Sequence, residues 1–130
     1  MAKGLRGGKR YPYGTMYRTL LQQGNIKFIR YNLRNNAKAP EETMTKGRIY
    51  VTLDSNNEPK YITYYDKNNK RFKQIDITGI PHLIDGEYTI PHTHMGYIHD
   101  ENGTRKPTLK ESKMIVRVLK TWDNKNKISE

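Results

Sequence analysis

The sequence contains no cysteine, which excludes disulfides and thiolate metal sites and leaves the redox compartment open. It has no apolar run near the roughly 20 residues of a helical membrane span. Its basic N-terminus, Met1 to Gly14, lacks the apolar stretch of about 7 to 15 residues that a secretory signal needs. A soluble chain with no membrane partner is expected, working in the cytoplasm of the cell that makes it or of a cell it enters. Phe and Trp are scarce, two and one of 130 residues, whereas Tyr occurs ten times. With hydrophobic residues at 34%, the core must be thin, with tyrosines supplying bulk and turning hydroxyls to water or partners. Acidic residues also run short: 13 Asp plus Glu against 24 Lys plus Arg leave a net charge of +11. A field of that sign concentrates polyanions, and nucleic acid is the expected partner. Attraction to an anionic membrane surface and plain solubility are the competing uses of such charge.

The length suits one domain. Residues 1–14, rich in Lys, Arg and Gly with no apolar period, read as a flexible basic arm. Residues 15–122 read as one α+β domain, and 123–130 as a frayed tail. In TMYRTLLQQGN, Thr15 can cap a short N-terminal helix that carries Met16, Leu20 and Leu21 and stops at Gly24. Ile26 to Leu33 is rich in β-branched and aromatic residues and reads as a strand. RIYVTL, KYITYYD and RFKQIDIT, separated by SNNE and KNNK, make an antiparallel meander. PHTHMGYIHD is a further strand, closed by the ENGT turn. After Pro107, Thr108 and Glu111 form a capping box. Ile115, Val118, Leu119 and Trp122 then line one side of a helix whose other sides carry Lys110, Lys113, Arg117 and Lys120. The expected fold is a twisted antiparallel sheet of four to five strands, with a short N-terminal helix and a C-terminal helix packed on one face.

Of only four histidines, His92, His94 and His99 crowd into eight positions, with His82 ten residues upstream of His92. Alternation points His92 and His94 to one side of their strand and Thr93, Met95 and Tyr97 to the other. It also separates Ile75 and Ile77 from Phe72, Gln74 and Asp76. If the two strands are neighbours, Asp76 shares a face with both imidazoles. Imidazoles titrate near neutrality, so such a pair suits general acid and general base work, with Asp76 orienting. In a basic, cysteine-free domain the matching chemistry is RNA cleavage: one group deprotonates a ribose 2′-hydroxyl and another protonates the leaving 5′-oxygen. That route needs no cofactor. Two other readings compete. The histidines can be polar decoration of an exposed strand, or they can hold zinc with His82, His99 or Asp76. Tyr61, Tyr64 and Tyr65 interleave with Lys60, Lys67, Lys70, Arg71 and Lys73, which suits base stacking beside phosphate contacts or simple strand packing. Thr104 and Arg105 follow the Asn102-Gly103 turn within reach of a phosphate. Strict alternation places Lys73 with Ile75.

YYDKNNKRFKQIDIT followed by PHTH resembles the short C-terminal domains of polymorphic toxins and phage minor capsid proteins, over about Tyr61 to Glu111. Those domains are similar to the barnase, EndoU and RelE-like grouping of metal-independent RNases. The matching positions are Tyr65, Asp66, Arg71, Asp76, Thr78, Pro91, His92 and His94, with His82 displaced from the usual pattern. The resemblance implies a metal-independent endoribonuclease that leaves 2′,3′-cyclic phosphate ends, with an acidic immunity or antitoxin protein as a partner besides RNA. Catalysis is expected from His92, His94 and Asp76, and substrate binding from Arg71, Lys73, Tyr65, His82, Thr104 and Arg105. The alternative is a non-catalytic RNA- or DNA-binding accessory protein, which needs the charge and the tyrosines but not the histidines.

Overall fold

A computed structural model describes residues 3–6, 9–12, 16–32, 37–77, 82–84, 87–89, 91–96 and 103–129, with side chains described over 16–32, 37–77, 91–96 and 103–125. The strands are β1 (Lys3–Arg6), β2 (Lys9–Pro12), β3 (Tyr17–Gln23), β4 (Ile26–Tyr31), β5 (Ile49–Leu53), β6 (Pro59–Tyr65), β7 (Arg71–Asp76), β8 (His82–Ile84), β9 (Glu87–Thr89), β10 (His92–Met95) and β11 (Thr104–Arg105). The helix α1 covers Leu109–Ser129. Seven strands form one sheet in the order β11-β10-β7-β6-β5-β4-β3, while β1-β2 and β8-β9 are separate antiparallel pairs. Within the sheet every pairing is antiparallel except β4 with β5, which run parallel.

The meander of β5, β6 and β7 forms as the alternation predicts, and its two turns are built alike. In DSNNE the Asp54 carboxylate accepts amide N–H groups of Asn56 and Glu58 at 2.8 and 3.1 Å. In DKNNK the Asp66 carboxylate accepts those of Asn68 and Lys70 at the same distances. Asn57 and Asn69 take the left-handed position of each turn, at φ 61° and 65°, a conformation asparagine tolerates better than most residues. Asp66, one of the positions of the resemblance, is thus a turn-maker.

Two expectations are corrected. The segment read as an N-terminal helix is the edge strand β3, and together with the two-residue β11 it raises the sheet from five strands to seven. Gly24, at φ 60°, does not stop a helix. It sits in the two-residue turn between Gln23 and Ile26, where a tight hairpin needs a positive φ. A helix of about ten residues with three apolar positions has little to offset its nucleation cost, whereas β3 finds a ready partner in β4. The adjacent Leu20 and Leu21 are absorbed by a register shift between Thr19 and Leu21. At the other terminus α1 continues to Ser129, through the stretch read as a frayed tail. Within the basic arm, Lys3–Arg6 and Lys9–Pro12 pair as β1 and β2.

The sheet is buried on both faces, by different means. On one face α1 lays Ile115, Val118 and Trp122 across Ile26, Phe28, Val51, Leu53, Ile62 and Ile75. Trp122 stacks on Phe28 with centroids 5.3 Å apart, and its indole N–H donates to the Asn57 carbonyl at 2.8 Å. On the opposite face, toward β3, β4 and β5, Met16, Tyr17, Ile29, Tyr31 and Tyr50 form a second cluster, joined by Tyr65. Its tyrosines anchor the following loop: Tyr17 donates its hydroxyl to the Lys38 carbonyl and Tyr65 donates to that of Pro40. The tyrosines expected to supply bulk do so here. Beyond them, toward β7, β10 and β11, the same face turns polar.

Candidate active site

The polar end is assembled by strand register. β10 pairs with β7 so that His92 lies opposite Asp76 and His94 opposite Gln74. β11 then places Thr104 opposite His94. Cross-strand partners share a face, so these residues meet there. His92 Nε2 lies 3.3 Å and His94 Nε2 3.0 Å from the same atom, Oδ2 of Asp76. The rings are perpendicular, with centroids 4.6 Å apart. His94 Nδ1 is 3.0 Å from the Thr104 hydroxyl. The other Asp76 oxygen accepts from the Gln74 amide at 3.3 Å, and the Gln74 carbonyl in turn accepts from Thr63 Oγ1 at 3.3 Å and Arg71 Nη1 at 3.4 Å.

This arrangement fixes much of the proton inventory. An ionised Asp76 only accepts, so His94, hydrogen-bonded to Oδ2, presents Nε2–H to it. Neutral His94 then accepts the Thr104 hydroxyl proton at Nδ1. When His94 is charged, Nδ1–H donates to the same hydroxyl oxygen. Thr104 serves both states because a hydroxyl can rotate between donor and acceptor. His94 can therefore gain or lose a proton without losing a partner, as an acid-base group requires.

The histidines are not decoration of an exposed strand: His92 is 1% and His94 3% exposed. Asp76, with its side chain at 13%, is the most open member of the three. Together they also form, among the described residues, the one set of three His, Asp or Glu side chains whose ligand atoms converge, all within 4.8 Å. Those are the residues that can hold a metal ion.

The remaining expected site residues divide. Arg71 joins the site through Gln74, and Thr104 through His94. Lys73 and Arg105 do not join it. They lie on the α1 side, where Lys73 Nζ is 3.0 Å from Glu111 and the Arg105 guanidinium grips both Glu111 oxygens at 2.7 and 2.8 Å. Alternation within β7 and β11 sends them away from Asp76 and Thr104, and a buried carboxylate holds them there. Tyr65 is committed to Pro40 and packs edge-on against Tyr50. The backbone of His82 pairs with Thr89 in β8-β9; its side chain, with Thr78 and His99, lies outside the described residues.

Gln74 and Thr63 were not singled out by the sequence. Alternation in RFKQID already puts Gln74 beside Asp76, but Thr63 enters only through the register of β6 on β7. Glu111, read only as a helix cap, is the other omission. It is 3% exposed and also accepts the Thr93 hydroxyl at 3.0 Å. Burial alone would push its carboxyl up, but hydrogen bonds from Arg105, the Thr108 amide and Lys73, together with the Lys73 charge, hold it well below the usual carboxylate range. Nearby, burial and the Glu111 charge push the Tyr64 hydroxyl up to about 12. Compared with family models, curated proteins and solved structures, the chain has no match.

Proposed function

We propose that this protein is a metal-independent endoribonuclease of toxin type, with His92 and His94 as its acid-base pair. The observation that carries the reading is the convergence of two buried imidazoles on one carboxylate oxygen within a chain of net charge +11. One imidazole, neutral, takes the proton of a ribose 2′-hydroxyl, and the freed oxygen attacks the adjacent phosphorus. The other, charged, gives its proton to the departing 5′-oxygen. The P–O5′ bond breaks, leaving a 2′,3′-cyclic phosphate and a 5′-hydroxyl. Asp76 orients the His94 ring and lies beside that of His92, Thr104 holds His94 in either protonation state, and Arg71 is the cation assigned to the phosphate. Lys73 and Arg105 have no part in this, because both are engaged with Glu111 on the other side of the sheet. Since the imidazoles are almost fully covered, the substrate reaches their Nδ1 edges only after the site opens.

The test is cleavage of a mixed RNA pool by the purified chain in excess EDTA. Cyclic phosphate ends and a bell-shaped pH profile are expected, because one imidazole must be neutral while the other is charged. A chain that binds RNA with steep salt dependence and never cuts it is instead a non-catalytic nucleic-acid-binding protein.

A further inference from the structure

We propose that Asp76, His92 and His94 also form a zinc site, and that zinc bound there silences the acid-base pair. The silencing rests on the nuclease reading; the binding does not. Zinc takes imidazole nitrogen and carboxylate oxygen at about 2.0 to 2.2 Å in a tetrahedron, which puts neighbouring ligand atoms about 3.3 Å apart. Asp76 Oδ2 already lies 3.3 and 3.0 Å from the two Nε2 atoms. The three residues offer ligand atoms that lie within 4.8 Å of one another, so a turn of one of the perpendicular rings is what closes the triangle around a single ion. The donors are two nitrogens and one oxygen, a set that suits zinc rather than magnesium or calcium, which prefer oxygen alone.

The surrounding groups are those that orient metal ligands. A zinc-bound His94 coordinates through Nε2 and donates Nδ1–H to Thr104, 3.0 Å away. Gln74 steadies the free oxygen of Asp76 at 3.3 Å. Three protein ligands leave a fourth position open, on the side of Asp76, the least covered of the three. Coordination also ends catalysis. It occupies the Nε2 atoms and fixes a proton on His94 Nδ1, which then cannot accept one from a 2′-hydroxyl.

The experiment titrates Zn²⁺ into the full chain at neutral pH by calorimetry and repeats it with Co²⁺, whose visible spectrum reports four-coordinate geometry. One ion per chain is expected. His94→Ala should weaken binding at least about a hundredfold, and Thr104→Val about tenfold through loss of ligand orientation. Asp76→Asn, nearly isosteric, removes the anionic ligand with little change of shape and should also lose the tetrahedral cobalt spectrum. No binding, or binding unchanged in both Asp76→Asn and His94→Ala, overturns the site. In the cleavage assay zinc should inhibit and EDTA should restore activity. Zinc bound at the triad of a chain that never cuts RNA sinks the nuclease and leaves the site standing. Cleavage that is indifferent to bound zinc sinks the silencing.

Discussion

The two sides of β10 carry two buried ionic clusters of opposite character. Below the strand, Thr93 meets Glu111, whose carboxylate is saturated by Arg105, Lys73, Thr93 and the Thr108 amide. Above it, His92 and His94 share a single oxygen of Asp76. The Glu111 cluster pairs one acid with two permanent cations, so its protonation is locked over the whole neutral range. The Asp76 cluster pairs one acid with two imidazoles, side chains that can each bind or release a proton. The first fastens α1 to the sheet, and the second is the pair proposed to move protons. Four residues of one strand serve both, because alternation gives each side its own pair.

The most severe way to break this contrast is to remove the upper cluster. His92→Ala with His94→Ala should cut RNA cleavage by at least the roughly hundredfold to ten-thousandfold that one positioned acid or base supplies. Affinity for an uncleavable RNA should stay within a few-fold, as measured by fluorescence anisotropy. Removing the lower cluster should act on stability instead. Glu111→Ala strands Arg105 and Lys73, and denaturant unfolding should show a loss of about 3 kcal/mol, the low end for a buried ion group because both cations keep some access to water.

The acid limb of stability sharpens the comparison further. The folded-state pKa of Glu111 is depressed, so its contribution is present above the unfolded value near about 4.3 and fades as pH falls through the folded value below it. Thermal melts of wild type and Glu111→Gln should therefore differ at pH 7 and converge as pH falls well below 4. A constant gap would show that the carboxylate's charge is not what stabilises the fold. The smallest effect is expected from Gln74→Leu, which leaves an Asp76 oxygen and the Thr63 hydroxyl short of a partner. It should cost about 1 kcal/mol and slow cleavage less than the histidine variants do.

Alternation and turn chemistry made the meander and the Asp76, His92 and His94 face legible before any coordinates, because both depend on residues close in sequence. The capping box was equally legible: the Thr108 amide donates to Glu111 and the Glu111 amide to Thr108 Oγ1. What escaped depends on distant partners. β3 carries Leu20 and Leu21 at a spacing that fits a helix as well as a bulged strand, and only its pairing with β4 decides between them. Lys73 and Arg105 carry the charge a phosphate ligand needs, although alternation already sets Lys73 with Ile75. Their true partner is Glu111, and no local rule brings β7, β11 and the first turn of α1 to one point. The burial of the imidazoles was equally hidden, since an alternating polar strand reads as half exposed.

The parallel pairing of β4 with β5 has a consequence for how the chain folds. It joins Ile26 to Ile49 and Ile29 to Thr52, across a span far longer than the tight turns within β3-β4 and β5-β6-β7. Each hairpin set can form from contacts close in sequence, while this seam must first offset the entropy of closing the longer intervening loop. During synthesis from the N-terminus, the β3-β4 hairpin emerges with a bare β4 edge until Leu53 has left the ribosome. That interval is when the nascent chain is most open to pairing with another copy of itself.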